Sequence, residues 1–194
     1  MKMTRRQAEV AAFAAPVFLA QGFARTTMGD IAMAAGVSRQ GLYLTFANKD
    51  EAFAAAVAVL DDQLHERLEA GVIDCDGLEA RLNYVCEGWL AVVFDLQLAN
   101  PDARDMDDLA FPIVRRVYER FVGLVGRLVD EASGGKLRQS DVVDLARAVV
   151  FGIRGFSATA TDGADLRRLS ALQVALVTAA VERAAGARRR AVRA

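Results

Sequence analysis

TTMGDIAMAAGVSRQGLYLTFANKDEAF, residues 26–53, is the stretch whose reading decides the fold. Thr26 or Thr27 can cap a short helix, with Asp30 in its first turn as the acid of a capping box. Ile31 and Ala32 turn inward. Gly36 stops the helix, because a tight turn there needs a left-handed backbone that glycine adopts without steric cost. Ser38 caps a third helix, Arg39 to Phe46, whose Leu42 and Phe46 face the core, and Asn48 caps a fourth, longer one. Two short helices joined by a glycine-containing turn form a helix-turn-helix unit. Ile31, Ala35, Val37 and Leu42 lock the two helices at a steep angle. Arg39, Gln40, Gly41, Tyr43 and Thr45 are left facing outward, and these residue types suit a nucleic-acid groove.

Upstream, Val10, Phe13, Ala14, Val17 and Phe18 mark one apolar face of a first helix from about Thr4 to Gln21. Pro16 should kink it from the polar side, and Gly22 ends it. Downstream, the fourth helix carries Phe53, Val57, Leu60 and Leu64 and ends near Ala70. Helical patterns follow from Leu78 to Leu98, Phe111 to Ala132, Ser140 to Thr159 and Asp165 to Ala185. The expectation is an all-α protein of about nine helices. A three-helix N-terminal domain, residues 1–50, is followed by a larger helical domain, residues 51–194. Neither an internal repeat nor a Gly/Ser/Pro linker divides the chain.

The composition fits. Of 194 residues, 54% are hydrophobic and 25% charged, and only 3 are proline, so a packed helical core follows and disorder does not. The net charge of −1 hides an asymmetry. Residues 1–49 hold Lys2, Arg5, Arg6, Arg25, Arg39 and Lys49 against Glu9 and Asp30, which leaves +4 there and −5 on the rest. A basic end on a mildly acidic body points to a polyanionic partner for the first segment. Arg188, Arg189, Arg190 and Arg193 read as a solvated tail. Charges interrupt every long apolar run, as Arg147 and Arg154 do, and the N-terminus lacks an apolar signal core, so the expected location is cytoplasmic, away from the membrane. Cys75 and Cys86 lack disulfide-framework or metal spacing and read as ordinary thiols.

In their order and spacing, residues 10 to 60 resemble the DNA-binding region of TetR-family transcriptional regulators. The likeness rests on Gly22-Phe23, Thr26 to Ala32, Ala35 to Ser38, Leu42-Tyr43 and Phe46 to Phe53 in one frame. It implies that Thr27 and Tyr43 touch phosphates and that Ser38, Arg39 and Gln40 form the leading end of a recognition helix. Gln40 suits adenine, and Arg39 suits guanine or a phosphate. Gly41 lets the helix approach double-stranded DNA, and Lys49 clamps a phosphate at the start of helix four. Arg5 and Arg6 are expected on a flexible arm. Leu44 departs from the polar or basic residue usual there, so either one backbone contact is missing or Thr45 replaces it.

The resemblance also implies a homodimer through the last two helices, with Val142, Leu145, Val149, Ile153 and Phe156 on one and Leu169, Leu172, Leu176 and Ala180 on the other. The central helices would enclose a small-molecule effector, apolar or aromatic, with Cys86, Trp89, Phe94, Phe111, Tyr118, Phe121 and Arg154 as candidate lining. Arg154 in an apolar helix should pair with Asp95 or another acid, or meet an anionic ligand.

An enzyme is the main rival class. His65 is the only histidine and is expected on the polar side of helix four. Neither a nucleophilic triad, a phosphate loop nor a histidine-carboxylate metal set is visible, so no cofactor or metal is expected. Asp102, Asp105, Asp107 and Asp108 read as a solvated acidic loop rather than a cation site. A non-specific architectural DNA binder is the second rival, and it would lack the large second domain.

Overall fold

The computed structural model describes the backbone of residues 3–99 and 106–191, and the side chains of residues 3–92 and 106–186. Phe94, Asp95, Asp102, Asp105 and the terminal arginines 188, 189, 190 and 193 lie outside the described side chains. Every regular element among the described residues is helical. The order is α1 (Arg5–Arg25), α2 (Met28–Ala34), α3 (Arg39–Tyr43) and α4 (Lys49–Gly71), then a 3-10 turn (Val72–Asp74), α5 (Gly77–Ala99), α6 (Pro112–Ser133), α7 (Gln139–Ser157) and α8 (Gly163–Ala191). The fold is thus all-α, with an N-terminal helix-turn-helix followed by larger helical structure. The chain divides into two compact units, Met1–Arg67 with Val92–Val117, and Leu68–Ala91 with Tyr118–Ala194.

In the first unit, side chains set the helix boundaries. Thr4 and Gln7 form a complete capping box at the start of α1. The helix breaks at Gly22, where φ is 72°, and resumes for one turn to Arg25, so the break falls at the glycine and not at exposed Pro16. The buried face is Val10, Ala11, Ala14, Ala15 and Phe18. Phe13, expected in that face, is 56% exposed because the small Ala11 and Ala15 take the closest approach instead. Phe18, Phe23, Phe53 and Phe111 form one aromatic cluster, with ring centroids 4.8–6.3 Å apart.

His65 corrects the expectation of a polar-face histidine. It is 2% exposed, and its Nδ1 lies 3.0 Å from the Asp61 carboxylate, one turn earlier on α4. The same nitrogen lies 3.2 Å from the Asp61 carbonyl, so one residue a turn earlier on the helix gives the buried ring its polar neighbours.

In the second unit, Leu82, Val85, Cys86, Tyr118, Phe121, Val125, Val129, Val149, Ile153 and Val174 are buried. A Cβ on Gly126 would make ordinary contact, at 3.8 Å, with Ala146 and Val142, so α6 lies close against α7. Val142, Val149 and Ile153, expected in the dimer face, are buried within the chain itself. On α7 and α8 the large apolar side chains left exposed are Val143, Phe151, Leu172 and Leu176. Between α7 and α8, the Gln173 amide donates to the Ala148 carbonyl and fills the space that a Cβ on Gly152 would need.

Candidate nucleic-acid interface

The turn between α2 and α3 is built as its residues require. Gly36 has φ 64°, and Val37 N–H donates to the Ala32 carbonyl at 3.0 Å. Thr27 caps α2 with both halves of a capping box. Its hydroxyl oxygen accepts from Asp30 N–H at 3.2 Å, while the Asp30 carboxylate accepts from Thr27 N–H at 2.9 Å and from the Thr27 hydroxyl at 2.7 Å. These hydrogen bonds, with a smaller contribution from the Arg39 charge, hold the Asp30 carboxyl below its ordinary value. Ser38 caps α3 by accepting from Gly41 N–H at 3.0 Å. A Cβ on Gly41 would lie 3.2 Å from the Ser38 hydroxyl, so the glycine also gives the cap its room.

The α-helical part of the third helix is short and ends at Tyr43, not at Phe46. Leu42 is fully buried at its back and Phe46 is buried just beyond it. Ser38, Arg39, Gln40, Tyr43 and Leu44 are exposed, and Leu44 is 85% exposed. Thr45 is half-buried. Its hydroxyl donates to the Gly41 carbonyl at 3.1 Å and accepts from Arg6 Nε at 3.4 Å. Arg5 and Arg6 are the first residues of α1, with Arg5 paired to Glu9 at 2.8 Å, so they are helical and not a flexible arm. The capping box formed by Thr4 and Gln7 starts the helix early enough to include them.

Lys49 opens α4 but turns toward α1. Its ammonium donates to the carbonyls of Phe23 at 2.8 Å and Ala24 at 3.3 Å, and lies 4.3 Å from the centre of the Phe23 ring. These carbonyls belong to the last turn of α1, where a cation is favoured by the helix dipole.

The candidate effector residues do not form one group. Phe111 packs against Phe23 and Phe53 in the first unit. Trp89, Tyr118 and Phe121 gather in the second. Trp89 stacks on Phe121 at 4.1 Å and 7°, and meets Tyr118 edge-on at 5.5 Å. Tyr118 stacks in turn on half-exposed Phe151 at 5.8 Å. Arg154 Nη1 donates to the Tyr118 hydroxyl at 2.7 Å, with the guanidinium 5.0 Å over that ring, so Tyr118 is one partner of this intrahelical cation. Cys86 is buried, and burial pushes its thiol up to about 12, out of the reactive range. A cleft of about 350 Å³ opens elsewhere in the second unit. It is lined by Val72, Ile73, Leu124 and Leu128, with the pairs formed by Arg81 with Glu131 and Arg127 with Glu69. None of the candidate effector residues lines it. The residues lining the cleft come from three separate stretches of chain, and only packing brings them together.

Two capped helices, a left-handed glycine turn between them and an exposed polar leading end on the second define the class of helix-turn-helix DNA-binding proteins. Residues 12–56 match the profile described as bacterial regulatory proteins, tetR family. Residues 12–56 are thus similar to the N-terminal region of TetR-family transcriptional regulators. None of the curated proteins matches it in sequence. Among similar solved structures is a TetR-family regulator from Mesorhizobium loti, 21% identical with TM-score 0.67, covering 91% of this chain and 98% of that one. Another is the TetR-family repressor AlkX from Dietzia, implicated in biodegradation of n-alkanes, at 19% identity and TM-score 0.61, covering 95% and 100%. A third is the regulator FadR from Bacillus subtilis in complex with stearoyl-CoA, at 18% identity and TM-score 0.56, covering 90% and 98%. At these identities the likeness is one of fold. Among the described residues, no helix is long and apolar enough to cross a membrane.

Proposed function

We propose that the chain is a ligand-responsive repressor in the cytoplasm, and not an enzyme, that binds a palindromic operator as a homodimer and leaves it when a small apolar or aromatic effector binds. The observation that carries this reading is α3, where Arg39 and Gln40 stand exposed at the leading end of a helix whose Leu42 is fully buried behind them. Arg39 reads guanine or a phosphate, and Gln40 reads adenine. Thr27, Ser38, Tyr43, Thr45 and Lys49 set the height and register on the backbone, and Gly41 allows close approach. In this division of labour residues 1–50 read DNA, and residues 51–194 bind effector and partner.

Exposed Val143, Phe151, Leu172 and Leu176 on the last two helices support the dimer, because exposed apolar side chains gain from a partner. Two copies present two recognition helices to two half-sites. The aromatic set of Trp89, Tyr118 and Phe121 with Cys86 and Arg154 favours an apolar effector that inserts by repacking, with Phe94 and Phe111 as further candidates. The stearoyl-CoA bound by FadR and the n-alkane link of AlkX favour an apolar chain as part of that effector. Binding would shift the population of conformations and, through α4, change the separation of the two recognition helices.

Selection of bound DNA from a random pool tests the reading. An enriched, roughly palindromic motif is expected, and no enrichment refutes specific dimeric recognition. Effector control is refuted if every apolar ligand that binds the protein leaves its operator affinity unchanged.

A further inference from the structure

Arg39 does not simply extend from α3. A Cβ built on Gly29 would lie 2.7 Å from Arg39 Nη2, 3.2 Å from Nε and 3.3 Å from Cζ. Three atoms of the guanidinium therefore rest on the backbone of α2, at the one place where that helix has no side chain. The next residue, Asp30, is fixed by its three hydrogen bonds with Thr27, and its carboxylate attracts the arginine. The long side chain at the head of α3 is thus seated on one helix while it projects from the next.

We infer that Gly29 is a specificity-determining residue that acts through Arg39, its bare backbone forming the seat that holds the guanidinium in one orientation for base recognition. The inference rests on the reading of α3 as the recognition helix. A flexible arginine must be ordered before it can make a bidentate contact with a base, and ordering it in the free protein removes that cost from binding. Any side chain at position 29 occupies the seat. Because the displaced atoms are the free end of an exposed side chain, Arg39 moves and the fold does not. Alanine is also a better helix former than glycine, so the helix itself gains.

The test uses the full chain as wild type, Gly29→Ala, Arg39→Ala and the double variant. Bound DNA is selected from a random pool, and melting temperature is measured alongside. Gly29→Ala is expected to melt no lower than wild type, yet to lose about three- to tenfold of the preference at the base position that Arg39→Ala also relaxes. In the Arg39→Ala background, the same glycine change should leave base preference as it is. A Gly29→Ala motif identical to the wild-type motif overturns the inference while leaving the recognition helix standing. So does an equal effect of Gly29→Ala with and without Arg39, because alanine would then be touching the DNA itself. Failure of the wild type to enrich any motif overturns the recognition-helix reading and this inference with it.

Discussion

The ammonium of Lys49 caps the end of α1 through the carbonyl of Phe23, 2.8 Å away, while resting over that residue's own ring. The first residue of α4 is thereby tied to the last turn of α1, and the same Phe23 ring packs on Phe53. Lys49→Met should remove a charge-assisted hydrogen bond worth about 1.5 kcal/mol and lower the melting temperature by about 3–6 °C. It should also weaken DNA binding evenly across sequences. The salt dependence of affinity separates the two roles. A slope reduced by about one indicates a lost phosphate contact, and an unchanged slope leaves Lys49 as a clamp alone.

The carboxyls of Asp30, Asp141 and Asp165 are all held below the ordinary value of 3.8, chiefly by hydrogen bonds from Thr27, Arg138 and Arg168 respectively. Each is depressed in the folded state. Each contribution to stability is therefore complete above pH 3.8 and disappears as pH falls through the lower folded value. Asp30→Asn should flatten the acid limb of a stability-against-pH curve. Curves for variant and wild type that run parallel across the carboxylate range would contradict this.

Trp89 is the only tryptophan and is 4% exposed, stacked on fully buried Phe121. Its emission should be blue-shifted in the native protein. Phe121→Ala should cost about 3–5 kcal/mol in denaturant unfolding and shift that emission to the red as the stack is lost. An unchanged spectrum would mean that the stack does not persist in solution.

Leu176 is 63% exposed on α8, and Phe151 is 39% exposed on α7. If the proposed homodimer forms through these helices, the wild type should sediment as a dimer and Leu176→Glu and Phe151→Glu as folded monomers. Operator affinity should then fall by at least tenfold, because one half-site is bound instead of two. A wild type that sediments as a monomer would refute the proposed homodimer, and variants that sediment as dimers would refute this surface for it.

Much of the N-terminal unit was legible in residues 26–53, since its boundaries are set by local chemistry. Thr27 with Asp30, Ser38, Gly36 and Asn48 act within four residues of their own positions, and each caps or turns the chain where the pattern places it. Spacing alone misplaced Phe13 and His65, because the buried face of a helix depends on what packs against it. Alanine-rich α1 rotates to bring Ala11 and Ala15 inward, and α4 buries its histidine beside Asp61.

The candidate effector site was the least legible part. Phe111, Trp89, Tyr118 and Phe121 are all aromatic residues in helical patterns, yet Phe111 joins the cluster of Phe18, Phe23 and Phe53, while the others stack together. Burial of Val142, Val149 and Ile153 within the chain likewise leaves Val143 and Phe151 as the exposed large apolar side chains of α7. The i, i+4 and i+8 spacing of Val143, Arg147 and Phe151 was a visible signal for that face.

By itself the sequence determined where the helices begin and turn, that they are helices throughout, and which residues head α3, because caps, glycine turns and apolar periodicity are short-range properties of the chain. Only the tertiary structure decided that Lys49 faces α1, that Arg39 is seated on Gly29 and that Tyr118 receives Arg154. A long flexible side chain has many reachable partners, and its choice among them depends on neighbours far away in sequence.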